Sequence, residues 1–138
     1  MTTSHDYLHA HEHAAPMASA RSGPLSDLRV VDLTQALSGP FCTMILADMG
    51  ADVVKVETPT GDLARFSPPF HDDDADHHFG GYFASINRNK RSISMDLKTT
   101  DGVDTLLALL ATADVLVENF TAGVMDRLGL SWEMLHER

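Results

Sequence analysis

Two short valine-rich runs with a helical segment between them constrain the fold of this chain more than any other feature. Residues 28–33 predict a strand, and the Val-rich run 52–57 is typical of a strand buried on both faces. Between the two runs, Gly39-Pro40 predicts the start of a helix and Gly50 its left-handed end. Strand, helix and strand within about thirty residues form a right-handed βαβ unit.

The second half of the chain repeats this alternation. Between residues 92 and 98, apolar Ile93, Met95 and Leu97 alternate with polar residues, which predicts a strand with one buried face. Residues 98–101 predict a capped helix start, and an apolar stripe at helical spacing follows through residues 103–110. Residues 115–117 predict a fully buried strand, and short helices are expected at 121–129 and after Ser131. The sequence therefore predicts an α/β domain with a largely parallel sheet flanked by helices.

Length and charge exclude several classes of protein. At 138 residues the chain has the size of one domain, and its 20 acidic against 10 basic side chains disfavour nucleic acid as a partner. Its apolar runs are too short to cross a bilayer, and residues 1–23 lack the apolar core of a secretory signal. The single cysteine, Cys42, excludes an internal disulfide and fits a cytoplasmic location. We expect its thiol to be buried and structural rather than nucleophilic.

Two His-containing segments raise the question of a metal site. Residues 1–23 carry four of the eight histidines but little that could pack, so a disordered tail is favoured over a metal-binding tract. Met17 is an alternative start of the chain. Residues 72–78 contain four aspartates and two histidines, for which a solvated acidic loop is favoured over a metal site. No metal is therefore expected.

A basic stretch stands out in this acidic chain. Residues 87–98 hold four of the ten Lys and Arg residues, which suggests either a bound anion or a solvated basic segment. Because ligands of parallel sheets bind outside the carboxyl ends of the strands, Lys98 is better placed than Lys90 for such a ligand. The first strand is followed by neither a Gly-x-Gly-x-x-Gly motif nor a P-loop, so an ordinary dinucleotide or P-loop site lacks support.

Several motifs in fixed order resemble one family. The resemblance covers about residues 25–138 and is to the family III CoA-transferases (the CaiB/BaiF type), which also include α-methylacyl-CoA racemase. The motifs that carry it are Asp32-Leu33-Thr34, Ser38-Gly39-Pro40-Phe41-Cys42-Thr43, residues 46–57, Asn87-Arg88-Asn89-Lys90-Arg91-Ser92, residues 114–120 and residues 123–129.

The resemblance implies that residues 24–138 are the N-terminal, CoA-binding portion of a larger Rossmann-like domain, and that full-length members form interlocked homodimers. Carried over position by position, the implied CoA contacts are Ala36, Leu37, Met95, Asp96, Leu97, Lys98, Asn119, Phe120, Thr121 and Arg127. Lys98 and Arg127 suit phosphate oxygens, and Phe120 suits an apolar wall. Asn119 could instead only shape a turn, Phe120 could be core, and Arg127 could pair on the surface.

The resemblance also implies what this chain lacks. In the transferases an Asp carboxylate attacks the acyl-CoA thioester, forms a mixed anhydride and then carries CoA to an acceptor carboxylic acid. That Asp, like the His and Asp of the racemases, corresponds to positions beyond Arg138. None of Asp32, Asp48, Asp52 or Glu57 matches a catalytic position, so no catalytic residue is assigned.

Two departures from the family pattern bear on substrate. Many relatives have Arg-Pro-Gly after the position of Glu57, where this chain has Thr58-Pro59-Thr60-Gly61. Leu37 stands where the formyl-CoA:oxalate enzymes have Gln, which disfavours oxalate. Three hypotheses remain open: CoA transfer between an acyl-CoA and a carboxylic acid, racemisation of an α-methylacyl-CoA, and a non-catalytic CoA-binding module.

Overall fold

The computed structural model of the protein describes residues 22–136. The predictions made for the His-rich tail of residues 1–23 and for Met17 lie outside the described residues, apart from Ser22 and Gly23. Residues 22–136 contain four strands, five α-helices and a 3-10 helix at Leu63–Phe66. Among these residues, no helix has the length and apolarity that crossing a membrane requires.

The strands and helices follow one another in the predicted alternation. The strands are Arg29–Asp32 (β1), Asp52–Glu57 (β2), Arg91–Ser94 (β3) and Val115–Val117 (β4). The helices are Ser38–Asp48 (α1), Gly81–Asn87 (α2), Thr100–Leu110 (α3), Val124–Arg127 (α4) and Trp132–His136 (α5). The predicted α/β class is confirmed.

The four strands form one parallel sheet in the order β3-β2-β1-β4. In register, Val31 of β1 lies beside Val54 of β2 and Leu116 of β4. All six residues of β2 are buried, as the valine run predicted. Because every strand points the same way, the loops after the four strands meet at one edge of the sheet, which we call the carboxyl edge.

Two predictions about buried strands are wrong. The alternating segment stops being a strand at Ser94, and the four residues of β3 are exposed, with Ile93 39% exposed. Only Met95, which follows the strand, is buried. Strand β4, predicted to be fully buried, is half-buried. Both strands lie at the margins of the described sheet, where one side of each strand has no neighbouring strand to cover it.

Each face of the sheet has its own core. On one face, Val31, Leu33 and Val56 pack with Leu106 of α3 and with Leu130. On the other face, the buried residues are Val30, Ala47, Ala51 and Val53.

Helix α3 begins where the sequence predicted, because the Thr99 hydroxyl accepts a hydrogen bond from the Gly102 N–H over 3.1 Å.

Helix α1 packs on the sheet through a face that does not include Cys42. Gly39, Pro40, Thr43, Met44 and Ala47 are its buried residues. Cys42 faces outward and is exposed, so the expectation of a buried thiol is wrong. The small residues Gly39 and Ala47 explain this, because they let the helix approach the sheet closely on the opposite side from Cys42.

Candidate functional site

The loops at the carboxyl edge enclose a small crevice of about 180 Å³. All four loops contribute to it. Its lining consists of Leu33, Gln35, Val56, Glu57, Thr58, Met95, Asp96, Leu97, Lys98, Phe120, Val124 and Leu128. Five of the ten predicted ligand contacts therefore lie together: the consecutive residues 95–98, and Phe120.

A second cavity of about 530 Å³ adjoins the first, since Leu97, Lys98 and Leu128 line both. Arg127 lines this second cavity, together with the first turn of α3. Lys98 thus lies between Phe120 and Arg127. Among the described residues, neither the Lys98 ammonium nor the Arg127 guanidinium has a carboxylate partner. Two cations without carboxylate partners among the described residues, both lining one cavity, are suited to an anionic ligand.

The loop between β1 and α1 borders the crevice. Asn119 joins it to the end of β4: the Gln35 N–H donates to Asn119 Oδ1 over 2.9 Å, and Asn119 Nδ2 donates to the Gln35 carbonyl over 2.8 Å. Ala36 has a left-handed backbone with φ of 67°, and Leu37 is 52% exposed at the start of α1. Of the predicted contacts, Ala36, Leu37, Asn119 and Thr121 line neither cavity and lie on the adjoining loops.

The basic stretch finds most of its partners within the chain. Arg88 pairs with Asp48, Lys90 with Asp32, and Arg91 with Asp52. The suggestion that this whole cluster holds a bound anion is therefore wrong for these three cations, because carboxylates of β1, α1 and β2 already neutralise them. Lys98 is the exception, because it has no carboxylate partner among the described residues. It lies at the carboxyl edge, as the strand order predicted.

A buried charge cluster beside helix α1 was missed by the sequence analysis. It consists of Asp32, Lys55, Asp62 and Lys90, whose side chains are at most 2% exposed. The Lys90 ammonium lies 3.0 Å from Asp32 Oδ2, and the Lys55 ammonium lies 2.9 Å from Asp62 Oδ2. Burial lowers the pKa of Lys90, with a further contribution from Lys55, while Asp32 acts in the opposite direction. The lysine in the middle of a Val-rich buried strand could have revealed the cluster, because a buried ammonium needs a partner.

Glu57, at the carboxyl end of β2, anchors the long loop that follows it. Arg65 donates to both carboxylate oxygens of Glu57, over 2.6 and 2.7 Å, and the Asp62 N–H donates over 2.9 Å. Burial by itself would raise the pKa of Glu57, but the hydrogen bonds from Arg65, Ser92 and Asp62 outweigh it and lower the pKa to about 2. Glu57 is therefore an ionised structural partner, and Asp32, Asp48 and Asp52 are likewise held in ion pairs.

Two other cavities within residues 22–136 are lined by none of the predicted ligand contacts, and one of them, of about 380 Å³, lies beside Lys55, Arg65 and Lys90. A larger cavity of about 730 Å³ lies beside β4, between Leu110 and His136, and none of the predicted ligand contacts lines it. In the acidic segment 72–78, Asp74 accepts hydrogen bonds from the N–H groups of His78 and Phe79. Within residues 22–136, no three His, Cys, Asp or Glu side chains are grouped so that they could hold a metal ion.

Comparison with known proteins gives consistent matches over this region. The model of CoA-transferase family III matches residues 25–138. A succinyl-CoA:mesaconate CoA-transferase of Haloarcula hispanica is 56% identical over 115 residues, which are 83% of this chain and 29% of that protein. A formyl-CoA:oxalate CoA-transferase of Afipia carboxidovorans is 46% identical over 114 residues, 82% of this chain and 26% of that protein.

Comparison with solved structures leads to the same family. A CaiB/BaiF family protein from Brucella suis superposes with a TM-score of 0.78 at 43% identity, and the match covers 85% of this chain and 31% of that one. The chain thus spans less than a third of the length of these relatives.

Proposed function

Because the chain belongs to CoA-transferase family III, we propose that it supplies the CoA-binding part of an enzyme that moves CoA between an acyl-CoA thioester and a carboxylic acid. The relatives support this class of reaction, since the names of both transferases above pair an acyl-CoA with a second acid. One observation carries the proposal: Lys98 lines two adjoining cavities at the carboxyl edge, one together with Phe120 and the other together with Arg127.

The chemistry of the two cavities suits the parts of coenzyme A. Lys98 offers a point charge and Arg127 a planar fork of donors, and both can bind phosphate oxygens. The first crevice is walled by Leu33, Val56 and Phe120, which suits the less polar pantetheine arm or the adenine ring. Ala36, Leu37, Asn119 and Thr121 adjoin this crevice and would contact the ligand through loop backbone groups. CoA acts here as a substrate, and no metal is part of the proposal.

The reacting carboxylate belongs to polypeptide outside the 138 residues. The acids along the described sheet are held in ion pairs: Asp32 with Lys90, Asp52 with Arg91, and Glu57 with Arg65. We therefore propose that this chain alone has no transferase activity, and that the active enzyme is a cytoplasmic homodimer of longer subunits. Because Leu37 is apolar and exposed beside the crevice, we propose an acceptor acid other than oxalate.

Two experiments test the proposal. The 138-residue protein should bind CoA in a calorimetric titration, and absence of heat at high protein concentration would contradict the CoA site. The same protein should show no thioester exchange between an acyl-CoA and a carboxylic acid, and clear turnover would refute the assignment of the reacting carboxylate to other polypeptide.

The racemase alternative is decided by the reading frame after Arg138, which should encode a single catalytic Asp rather than a His and Asp pair.

A further inference from the structure

The buried charge cluster contacts the start of the loop between β1 and α1 and also the first turn of α1. At the start of the loop, the Thr34 N–H donates to Asp32 Oδ1 over 2.8 Å, and the Lys55 ammonium donates to the Thr34 carbonyl over 2.8 Å. In the first turn of α1, the Lys90 ammonium donates to the Pro40 carbonyl over 2.8 Å. Ala36 and Leu37 lie between these two points of attachment.

Lys90 has no donor left for anything else. Its three donors reach Asp32 Oδ2, the Pro40 carbonyl and Asn87 Oδ1, at 3.0, 2.8 and 2.8 Å. Asp32 is equally engaged, because it also accepts hydrogen bonds from the Thr34 and Thr43 hydroxyls. The hydrogen bonds of this ion pair therefore connect β1, α1 and the end of α2 to one another.

A stability role alone does not account for this arrangement. Burying two charges costs much of what their attraction returns, and apolar side chains of similar size often serve a core equally well. What apolar side chains cannot do is hydrogen-bond backbone groups. Here those groups belong to Thr34, in the loop, and to Pro40, in the first turn of α1, and they flank the segment in which Ala36 takes its left-handed backbone.

We propose that Asp32 and Lys90 are positioning residues, whose ion pair holds the start of the β1–α1 loop and the first turn of α1, and thereby fixes Ala36 and Leu37 between them for contact with the CoA substrate. The inference rests on the proposed function for the identity of the ligand. The loop geometry that it describes can be measured without any ligand.

The test compares a single variant with a double variant of the 138-residue protein. Lys90→Met leaves the Asp32 carboxylate buried without its cation, so it should be strongly destabilised. Asp32→Leu/Lys90→Met removes both charges, so its melting temperature should return toward that of the wild type. Arg91→Met is the control, because Arg91 is the neighbouring cation and pairs with Asp52 at the opposite edge of the sheet.

Without any ligand, amide hydrogen exchange of residues 34–41 in the double variant should be at least about tenfold faster than in the wild type. The reason is that hydrogen bonds from charged groups to this segment are lost. The CoA affinity of the double variant should fall by a similar factor, although its fold is restored. Arg91→Met should change neither the amide exchange rates of residues 34–41 nor the CoA affinity. Wild-type exchange in this segment, or wild-type CoA affinity, in a folded double variant would overturn the inference. If the wild type binds no CoA, the proposed function fails, and the exchange rates still decide whether the pair holds the loop.

Discussion

Asn119 and Gln35 are 84 positions apart in the chain and are joined by two hydrogen bonds, one in each direction between the Asn119 amide and the Gln35 backbone. The pair connects the loop after β4 to the loop after β1, which are neighbouring strands in the sheet. Asn119 therefore shapes the edge of the crevice through the backbone of another loop. The sequence analysis left open whether Asn119 contacts a ligand or shapes a turn, and this geometry shows a structural contact between two loops.

Asn119→Ala should weaken CoA binding by about tenfold, because two hydrogen bonds of about 1 kcal/mol each no longer hold the loop that carries Ala36 and Leu37. The dissociation constant from calorimetry measures the effect. Thr105→Ala serves as control, since its exposed hydroxyl bonds only the Asp101 carbonyl within α3. An Asn119→Ala protein that binds CoA as the wild type does would show that the connection has no bearing on the ligand.

Gly102 should tolerate no side chain. A Cβ at this position would lie 2.0 Å from the Asp96 carbonyl oxygen, so Gly102→Ala must move the 95–98 segment or the start of α3. We expect a loss of unfolding free energy well above the roughly 1 kcal/mol that removal of the cap in Thr99→Ala should cost, together with weaker CoA binding. Chemical denaturation of both variants measures this difference. Equal stability of the two variants would argue against the close approach of α3 to this segment.

Acid should weaken the anchor between Glu57 and Arg65. The pKa of Glu57 is lowered from 4.5 to about 2, so the folded state binds its proton less readily than the unfolded state does. The resulting stabilisation is complete above about pH 4.5 and is lost as the pH falls toward 2, with an upper limit of about 3 kcal/mol.

Urea unfolding of the wild type and of Glu57→Gln at several pH values tests this. The difference between their unfolding free energies should be largest at neutral pH and should shrink below pH 4.5. In an Arg65→Met background, the same difference should depend much less on pH. A difference that stays constant from pH 7 to pH 3 would mean that Glu57 is not held as an ionised partner.

The sequence predicted the order and type of the elements because local features are decisive there. The Gly39-Pro40 helix start, the Thr99 cap and the valine run of β2 each act within a few residues. The sequence could not show which strands lie at the margins of the sheet, since that depends on pairing between distant segments. For this reason β3 and β4 were expected to be more buried than they are.

The roles of the charged residues also depend on contacts between distant segments, which the sequence could not show. From the sequence alone, Lys90 and Lys98 belong to one basic stretch. Their different roles follow from the direction of β3, which lies between them: Lys90 meets the buried carboxylate of Asp32, whereas Lys98 emerges at the carboxyl edge beside Phe120. A pairing between residues 58 positions apart cannot be read from local pattern.

The central claim is that the carboxyl edge binds CoA through Lys98 and Arg127, and calorimetric titration of charge variants tests it most directly. Lys98→Ala and Arg127→Ala should each weaken CoA binding by about tenfold or more, because hydrogen bonds to charged groups contribute roughly 1.5–3 kcal/mol. Arg29→Ala removes the same charge from the amino end of β1, where Arg29 lies beside Asp52, and should leave the affinity unchanged. Equal affinities of the wild type and the three variants, or a loss confined to Arg29→Ala, would contradict the account.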